Sequence, residues 1–206
     1  MAIAMIKLQN KIPSILVIGD LIVDHYLWGS CDRISPEAPV PVTKIDFEST
    51  MLGGAGNVVN NLYQLGSKVD VLSVIGDSSA SKELIKLLEK IKINTEFLIK
   101  QKNWITSKKS RVVAANQQVI RFDSETTDEI DDQSIQSILS CFKRIINNYD
   151  IILLSDYGKG LLTNELTKLL IDIASHNRKK ILVDPKGLDY SKYKGAFLLT
   201  PNKKEA

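Results

Sequence analysis

Two short segments of the chain combine a carboxylate, an ammonium group and glycine. They read SDYGKG at 155–160 and DPKG at 184–187. Carboxylates accept hydrogen bonds from hydroxyl groups, and ammonium groups bind phosphate. Helix capping explains any one of these aspartates equally well, but the repeated combination with lysine and glycine indicates a ligand site. The candidate residues are Asp156, Lys159, Asp184 and Lys186.

A glycine cluster, GGAGN at 53–57, precedes a helical segment that Gly66 ends. Glycines at a helix N-terminus let a ligand approach the exposed backbone N–H groups. A dinucleotide fingerprint fits badly, because the spacing from Gly54 is G-x-G-x-x-V and Asp70 begins the next strand instead of ending it. No Gly-Lys-Ser/Thr follows, so a Walker A loop is absent. The cluster is either a ligand turn or a site of tight helix packing.

Short apolar runs alternate with segments of helical period. This pattern predicts an α/β fold with a mostly parallel sheet flanked by helices. Ligands bind at the carboxyl ends of the strands in such sheets, which is where the candidate residues lie. The predicted strands are 14–19, 69–76, 150–155, 180–185 and 196–200.

Two further stretches do not fit a parallel sheet. Residues 40–45 alternate between polar and apolar, and residues 111–122 read as an antiparallel hairpin with a turn near Asn116. We expect both to form a separate β flap above the main layer.

Composition and charge exclude several classes of protein. The chain has 206 residues with a net charge of +3 and 44% hydrophobic residues, which excludes disorder and gives no reason to expect nucleic acid. No apolar stretch has the length of a membrane span. Two cysteines without partners fit a reducing cytoplasm. Lys108 and Lys109 are interpreted as solvated surface, and His25 and His176 as structural or surface residues.

Six motifs in order resemble the ribokinase-like (PfkB-type) carbohydrate kinases, with the heptose-7-phosphate kinases of lipopolysaccharide biosynthesis as the nearest group. The resemblance runs from about Ile15 to the end of the chain. NQQ-x-x-R-x-D, DYGKG and DPKG favour the heptose kinases over ribokinases and fructokinases. The motifs are ILVIGDLIVDHY, GGAGNVVNNLYQLG, SRVVAANQQVIRFD, LLSDYGKGLL, ILVDPKG and LLTPNKKEA.

The resemblance implies roles for particular residues. Asp24 matches the aspartate that accepts hydrogen bonds from sugar hydroxyls. The turn that closes over the sugar corresponds to Gly53, Gly54 and Asn57.

The basic candidates for the phosphate that the substrate already carries are Arg111, Arg121, Lys159 and Lys186. For the two arginines, a lid salt bridge with Asp123 or Glu125 remains an open alternative. Asn202 and Glu205 match an Asn-x-x-Glu motif that organises Mg²⁺ and phosphate, with no residue assigned as a direct metal ligand.

The resemblance also implies the activity. ATP would be the co-substrate, and its γ-phosphoryl group would pass to O1 of D-glycero-D-manno-heptose 7-phosphate. Residues 1–206 would form the N-terminal portion of the kinase domain, with β-lid segments at about 36–50 and 95–122 and a homodimer through the lid. The general-base aspartate is expected beyond Ala206, which leaves no catalytic residue within the chain and predicts that the chain is inactive by itself.

Two alternatives remain open. One is another PfkB-type sugar or nucleoside kinase, and the other is an inactive sugar-phosphate-binding module.

Overall fold

A parallel sheet forms the centre of residues 12–204, the part of the chain that the computed structural model describes. The strands are β1 (Ser14–Gly19), β4 (Lys68–Ile75), β5 (Leu98–Lys100), β8 (Ile151–Ser155), β9 (Lys180–Asp184) and β10 (Leu198–Leu199). Within the described residues their order is β10-β9-β8-β1-β4-β5, and every neighbouring pair is parallel. The predicted α/β architecture is confirmed.

Four α-helices of the described part cover the two faces of this sheet. They are α1 (Ala55–Gln64), α2 (Ser79–Lys90), α3 (Asp132–Ile145) and α4 (Asn164–His176). One apolar core joins the sheet to α1 and α2, and the other joins it to α3 and α4. Side-chain oxygens of Ser78, Asp131 and Thr163 accept N–H groups in the first turns of α2, α3 and α4. Within residues 12–204, none of the helices has the length and apolar character needed to cross a bilayer.

A second sheet, here named the lid, stands apart from the parallel sheet. Its strands are β2 (Leu21–Ile34), β3 (Pro41–Gly54), β6 (Ser107–Ala114) and β7 (Gln117–Ser124), in the order β3-β2-β6-β7. The hairpin expected at 111–122 is present as β6 and β7. Its turn lies at Ala115 and Asn116, whose φ values of 49° and 61° are both left-handed, as a two-residue hairpin turn requires.

The lid strands differ from the expected segments at about 36–50 and 95–122. Residues 21–34 form a full strand of the lid, and residues 98–100 belong to the parallel sheet instead. Polar residues such as Asp24 and His25 made residues 21–34 resemble a loop after the first strand. They lie in β2 because both faces of the lid are only partly covered, so a lid strand tolerates polar side chains on either face.

Two phenylalanines provide a matched test of where stability resides. Phe142 of α3 is fully buried, whereas Phe122 of β7 is 53% exposed. Phe142→Ala should lower the free energy of unfolding by about 3–5 kcal/mol, because it leaves a cavity in the core. Phe122→Ala should change it by less than about 1 kcal/mol. Urea unfolding followed by circular dichroism measures both, and equal losses would contradict the assignment of the core.

Candidate active site

The loop that follows β8 is held by a buried carboxylate. Asp20, between β1 and β2, is 4% exposed. Its Oδ2 accepts the backbone N–H groups of Tyr157 and Lys159 at 2.8 and 3.1 Å, and its Oδ1 accepts that of Leu161 at 3.3 Å. Burial raises the pKa of Asp20 above its ordinary value, although these three donors act in the opposite direction. The DYGKG loop therefore has one fixed backbone path.

Asp24 lies within β2, and an arginine holds its carboxylate. Arg111 of β6 donates from Nη1 to Asp24 Oδ1 at 2.6 Å. The same guanidinium lies 5.2 Å from the ring centroid of Tyr26, within the range of a cation–π contact. Both partners of the ion pair are about one-fifth exposed, so the carboxylate has a fixed orientation. Arg111 thus pairs with Asp24 in this structure, and its role toward a phosphate stays a prediction.

The glycine cluster leaves space beside Asp24. A Cβ atom on Gly53 would lie 2.2 Å from Asp24 Oδ2, so only glycine permits this approach. Gly54, with φ of +54°, caps α1, and a Cβ there would lie 2.5 Å from the carbonyl oxygen of Asp20. That carbonyl accepts the N–H of Ala55, the first residue of α1. The cluster therefore packs tightly against Asp20 and Asp24, and its role as a ligand turn stays a prediction.

Two more ion pairs lie at the base of the lid. Arg121 donates from Nε and Nη2 to the two carboxylate oxygens of Asp123, at 2.9 and 2.5 Å. This hydrogen bonding raises the pKa of Arg121 and lowers that of Asp123. Lys159 Nζ donates to Glu125 Oε1 at 2.6 Å, which ties the DYGKG loop to the segment after β7. The salt-bridge alternative for Arg121 is the one that the structure has.

Asp156 belongs to a different, buried group. Its Oδ2 accepts a hydrogen bond from the Tyr193 hydroxyl at 2.8 Å and forms an ion pair with Lys192 Nζ at 2.5 Å, and its Oδ1 accepts the N–H of Gly158. Burial is the main cause that raises the pKa of Tyr193. The hydrogen bond to Asp156 and the negative charge of Asp156 also raise it, whereas the N–H that Lys186 donates to the hydroxyl lowers it. With 3% exposure, Asp156 shapes the loop, and its role toward a substrate stays a prediction.

The remaining candidates are dispersed. Asp184 ends β9 opposite Ser155, and Lys186 is exposed with its Cγ near Gly158. Asn57 is exposed and lines a groove of about 210 Å³ with Leu87 and Ile91, and Asp24 is not among the lining residues. Asn202 is exposed as well, and Glu205 lies outside the described residues.

Sequence reasoning missed two residues of this region. Asp20 has no local feature that separates it from other polar residues that follow a strand. His25, expected to be structural or on the surface, has structural contacts, because its ring nitrogens lie 3.2 Å from Ser110 Oγ and 2.8 Å from Glu48 Oε2. Lys109 was interpreted as solvated surface, but it is half-buried in the lid. The two-residue spacing from Lys109 to Arg111 was the available signal, since it places both on one face of a strand.

The residues present do not by themselves form a metal site. Within residues 12–204 there is no group of three or more His, Cys, Asp or Glu side chains arranged to hold a metal ion. Asn202 Oδ1 accepts the N–H of Lys204. Mg²⁺ therefore remains an expectation that the resemblance carries.

Comparison with known proteins agrees with this geometry. Residues 13–206 match the model of the pfkB family of carbohydrate kinases. The chain belongs to that family. Two solved structures share the fold of this pfkB chain. The first is the tetrameric inhibited form of phosphofructokinase-2 from Escherichia coli. It is 16% identical, with a TM-score of 0.70, and the match covers 95% of the present chain and 62% of the kinase chain. The second is a carbohydrate kinase from Agrobacterium tumefaciens, which is 15% identical with a TM-score of 0.63, and the match covers 94% of the present chain and 62% of that kinase.

Relatives with higher identity carry one common name. The chain is 61% identical over 96% of its length to the bifunctional protein HldE of Aliarcobacter butzleri, and 56% identical over 97% to that of Sulfurimonas denitrificans. It is 50% identical over 98% to that of Helicobacter hepaticus. The pfkB-family chain spans only 41–42% of the length of these relatives.

Gly53→Ala should weaken sugar binding without destabilising the backbone. Gly53 is not among the residues with positive φ, so alanine there conflicts only with the Asp24 carboxylate. We expect a loss of roughly tenfold or more in affinity, the value of a charged hydrogen bond. Calorimetric titration of the sugar measures it.

Gly66→Ala is the control for this variant. A Cβ at Gly66 meets nothing within 4 Å, but φ is +86°, so this change should lower the melting temperature and leave sugar affinity unaltered. Wild-type affinity in Gly53→Ala would remove this turn from the site.

Proposed function

We propose that the chain is the sugar-binding portion of an ATP-dependent kinase that phosphorylates O1 of D-glycero-D-manno-heptose 7-phosphate. The observation that carries the proposal is the Asp24 carboxylate, fixed by Arg111 on one oxygen and adjoining the glycine turn with the other. Membership of the pfkB family and the HldE relatives support the sugar and the phosphoryl donor.

The chemistry assigned to this site is mostly positioning. The O1 hydroxyl oxygen attacks the γ-phosphorus of ATP, the O1–P bond forms, and the bond from the γ-phosphorus to the bridging oxygen of ADP breaks. Asp24 would accept hydrogen bonds from the sugar hydroxyls and hold the acceptor in line. The proton of O1 passes to a base that we do not assign to any residue of this chain.

Asp24→Asn should reduce the affinity for heptose 7-phosphate by about one to two orders of magnitude. A hydrogen bond to a charged group is worth roughly 1.5–3 kcal/mol, and the amide also leaves Arg111 without its carboxylate partner.

Heptose 7-phosphate should bind more tightly than unphosphorylated heptose, and added salt should weaken the binding of heptose 7-phosphate more. Calorimetric titration of both sugars, at low and high salt, measures these effects.

The comparison panel contains fructose 6-phosphate, ribose and a nucleoside. Tighter binding of one of these than of heptose 7-phosphate would replace the proposed substrate. Unchanged affinity in Asp24→Asn, with an unchanged melting temperature, would remove Asp24 from the site.

We also propose that two copies associate through the lid. Its strands expose apolar side chains that monomeric proteins usually cover. Phe47, at 60% exposure, lies on the same face as Asp24, and Phe122, at 53%, lies on the opposite face with Ile120. All of β7 is exposed along an open sheet edge, which favours pairing with another chain.

Phe47→Asp and Phe122→Asp, made separately, should show which face associates. The wild-type chain should elute with twice the mass of one chain in light scattering, and the variant on the associating face should be monomeric. Leu188→Asp is the control, because Leu188 is 78% exposed outside the lid. A monomeric wild type at tens of micromolar, or dimers in both lid variants, would contradict the proposal.

A further inference from the structure

Four cations lie on or beside the lid face that carries Asp24, and three of them have carboxylate partners. Arg111 is paired with Asp24, Arg121 with Asp123, and Lys159 with Glu125. Lys109 is the fourth. Among the residues that the structure describes, it has no ion pair and no side-chain hydrogen bond, so its charge is uncompensated by direct contact.

Strand register places Lys109 at the centre of these pairs. Lys109 is aligned with Asp24 in the parallel pair of β6 and β2, and it is opposite Asp123 in the antiparallel pair of β6 and β7. Aligned residues of neighbouring strands project to the same face, about 5 Å apart. Lys109 therefore lies directly between two carboxylate-bearing positions, on the face that adjoins Gly53.

The ammonium group of Lys109 is partly buried and has no ion pair among the described residues. Lys109 is half-buried, and this burial lowers its pKa; the positive charges of Lys159 and Arg121 add to the lowering, while Glu125 opposes it. A desolvated ammonium with three donors is stabilised by an anionic acceptor. Asp24 and Glu125 each bind another cation through one oxygen, and Asp123 through both. Glu125 Oε2 is buried without a hydrogen-bond partner and its charge attracts Lys109, but no carboxylate among the described residues makes a direct ion pair with the ammonium group, so a ligand anion can supply that acceptor.

Three of the four cations that the sequence suggested for phosphate are less suited. Arg111 and Arg121 are committed to neighbouring carboxylates in short contacts, and Lys159 is committed to Glu125. Moving Arg111 or Lys159 to a phosphate would leave a carboxylate without its partner, which is costly in a half-buried site. Binding by Lys109 breaks no ion pair among the described residues.

We infer that Lys109 binds the phosphate ester that the sugar already carries, and that it discriminates the phosphorylated sugar from the unphosphorylated one. The inference rests on the proposed function for the sugar itself. Asp24 and Lys109 then contact one molecule from adjacent strands, the carboxylate at hydroxyl groups and the ammonium at the phosphate. Specificity for a sugar phosphate resides in the lid rather than in the DYGKG loop.

The experiment compares Lys109→Met with wild type in calorimetric titrations of heptose 7-phosphate and unphosphorylated heptose. We expect the variant to lose roughly 10- to 100-fold in affinity for the phosphorylated sugar. Its affinity for unphosphorylated heptose and its melting temperature should stay at the wild-type values. The preference for the phosphate should thus nearly disappear.

The neighbouring lysine supplies a matched control. Lys108 lies on the opposite face of β6 and pairs with Glu83 of α2 at 2.8 Å. Lys108→Met removes the same charge one residue away and should leave the affinity ratio of the two sugars unchanged. Arg111→Gln should weaken both sugars by a similar factor, because Arg111 acts through Asp24.

Several results would overturn the inference. The first is a Lys109→Met variant that keeps the wild-type ratio of affinities for the two sugars. The second is a variant that loses affinity equally for both sugars and has a lowered melting temperature. The third is a variant that loses affinity only for ATP, and the fourth is a wild type that binds no phosphorylated sugar. If the wild type instead binds another phosphorylated sugar, and Lys109→Met loses the preference for its phosphate, the inference stands and the proposed heptose substrate is wrong.

Discussion

The buried carboxylate of Asp20 is the interaction on which the rest of the site depends. Its side chain accepts three backbone N–H groups from the loop after β8, and its main-chain oxygen accepts the first N–H of α1. One residue thus fixes the relative position of two segments that are distant in sequence. An isolated carboxylate in this environment would be costly, and the three donors are what make a buried acid acceptable between β1 and β2.

The two faces of the lid carry different sets of charged and polar residues. Along β2 and β6, every second residue faces the site, so Asp24, Lys109 and Arg111 share one face. The intervening positions carry the contacts of the other face, where His25 joins Ser110 to Glu48 and Lys108 joins the lid to α2. The period of a strand therefore separates the residues that adjoin the glycine turn from those that brace the lid against the body.

The sequence predicts the body of the fold well and the site only in part. Buried parallel strands such as 14–19 and 150–155 are rich in apolar residues. The amphipathic helices are predicted by apolar residues that recur at helical spacing. The lid strand at 21–34 has no such signal, since water or charged groups line much of both faces. The partners of Asp24 and His25 lie 87 and 85 residues away, and no local pattern specifies contacts at that separation.

Pairing of β2 with β6 also has a consequence for the order in which the protein folds. β2 with β3, and β6 with β7, are local pairs, for which early formation is expected, whereas β2 and β6 are separated in the chain by β3, α1, β4, α2 and β5. Closing so long a loop costs entropy that only a nearly complete body can offset. We therefore expect the charged face of the lid, the proposed ligand-binding surface, to assemble late, after the parallel sheet has formed.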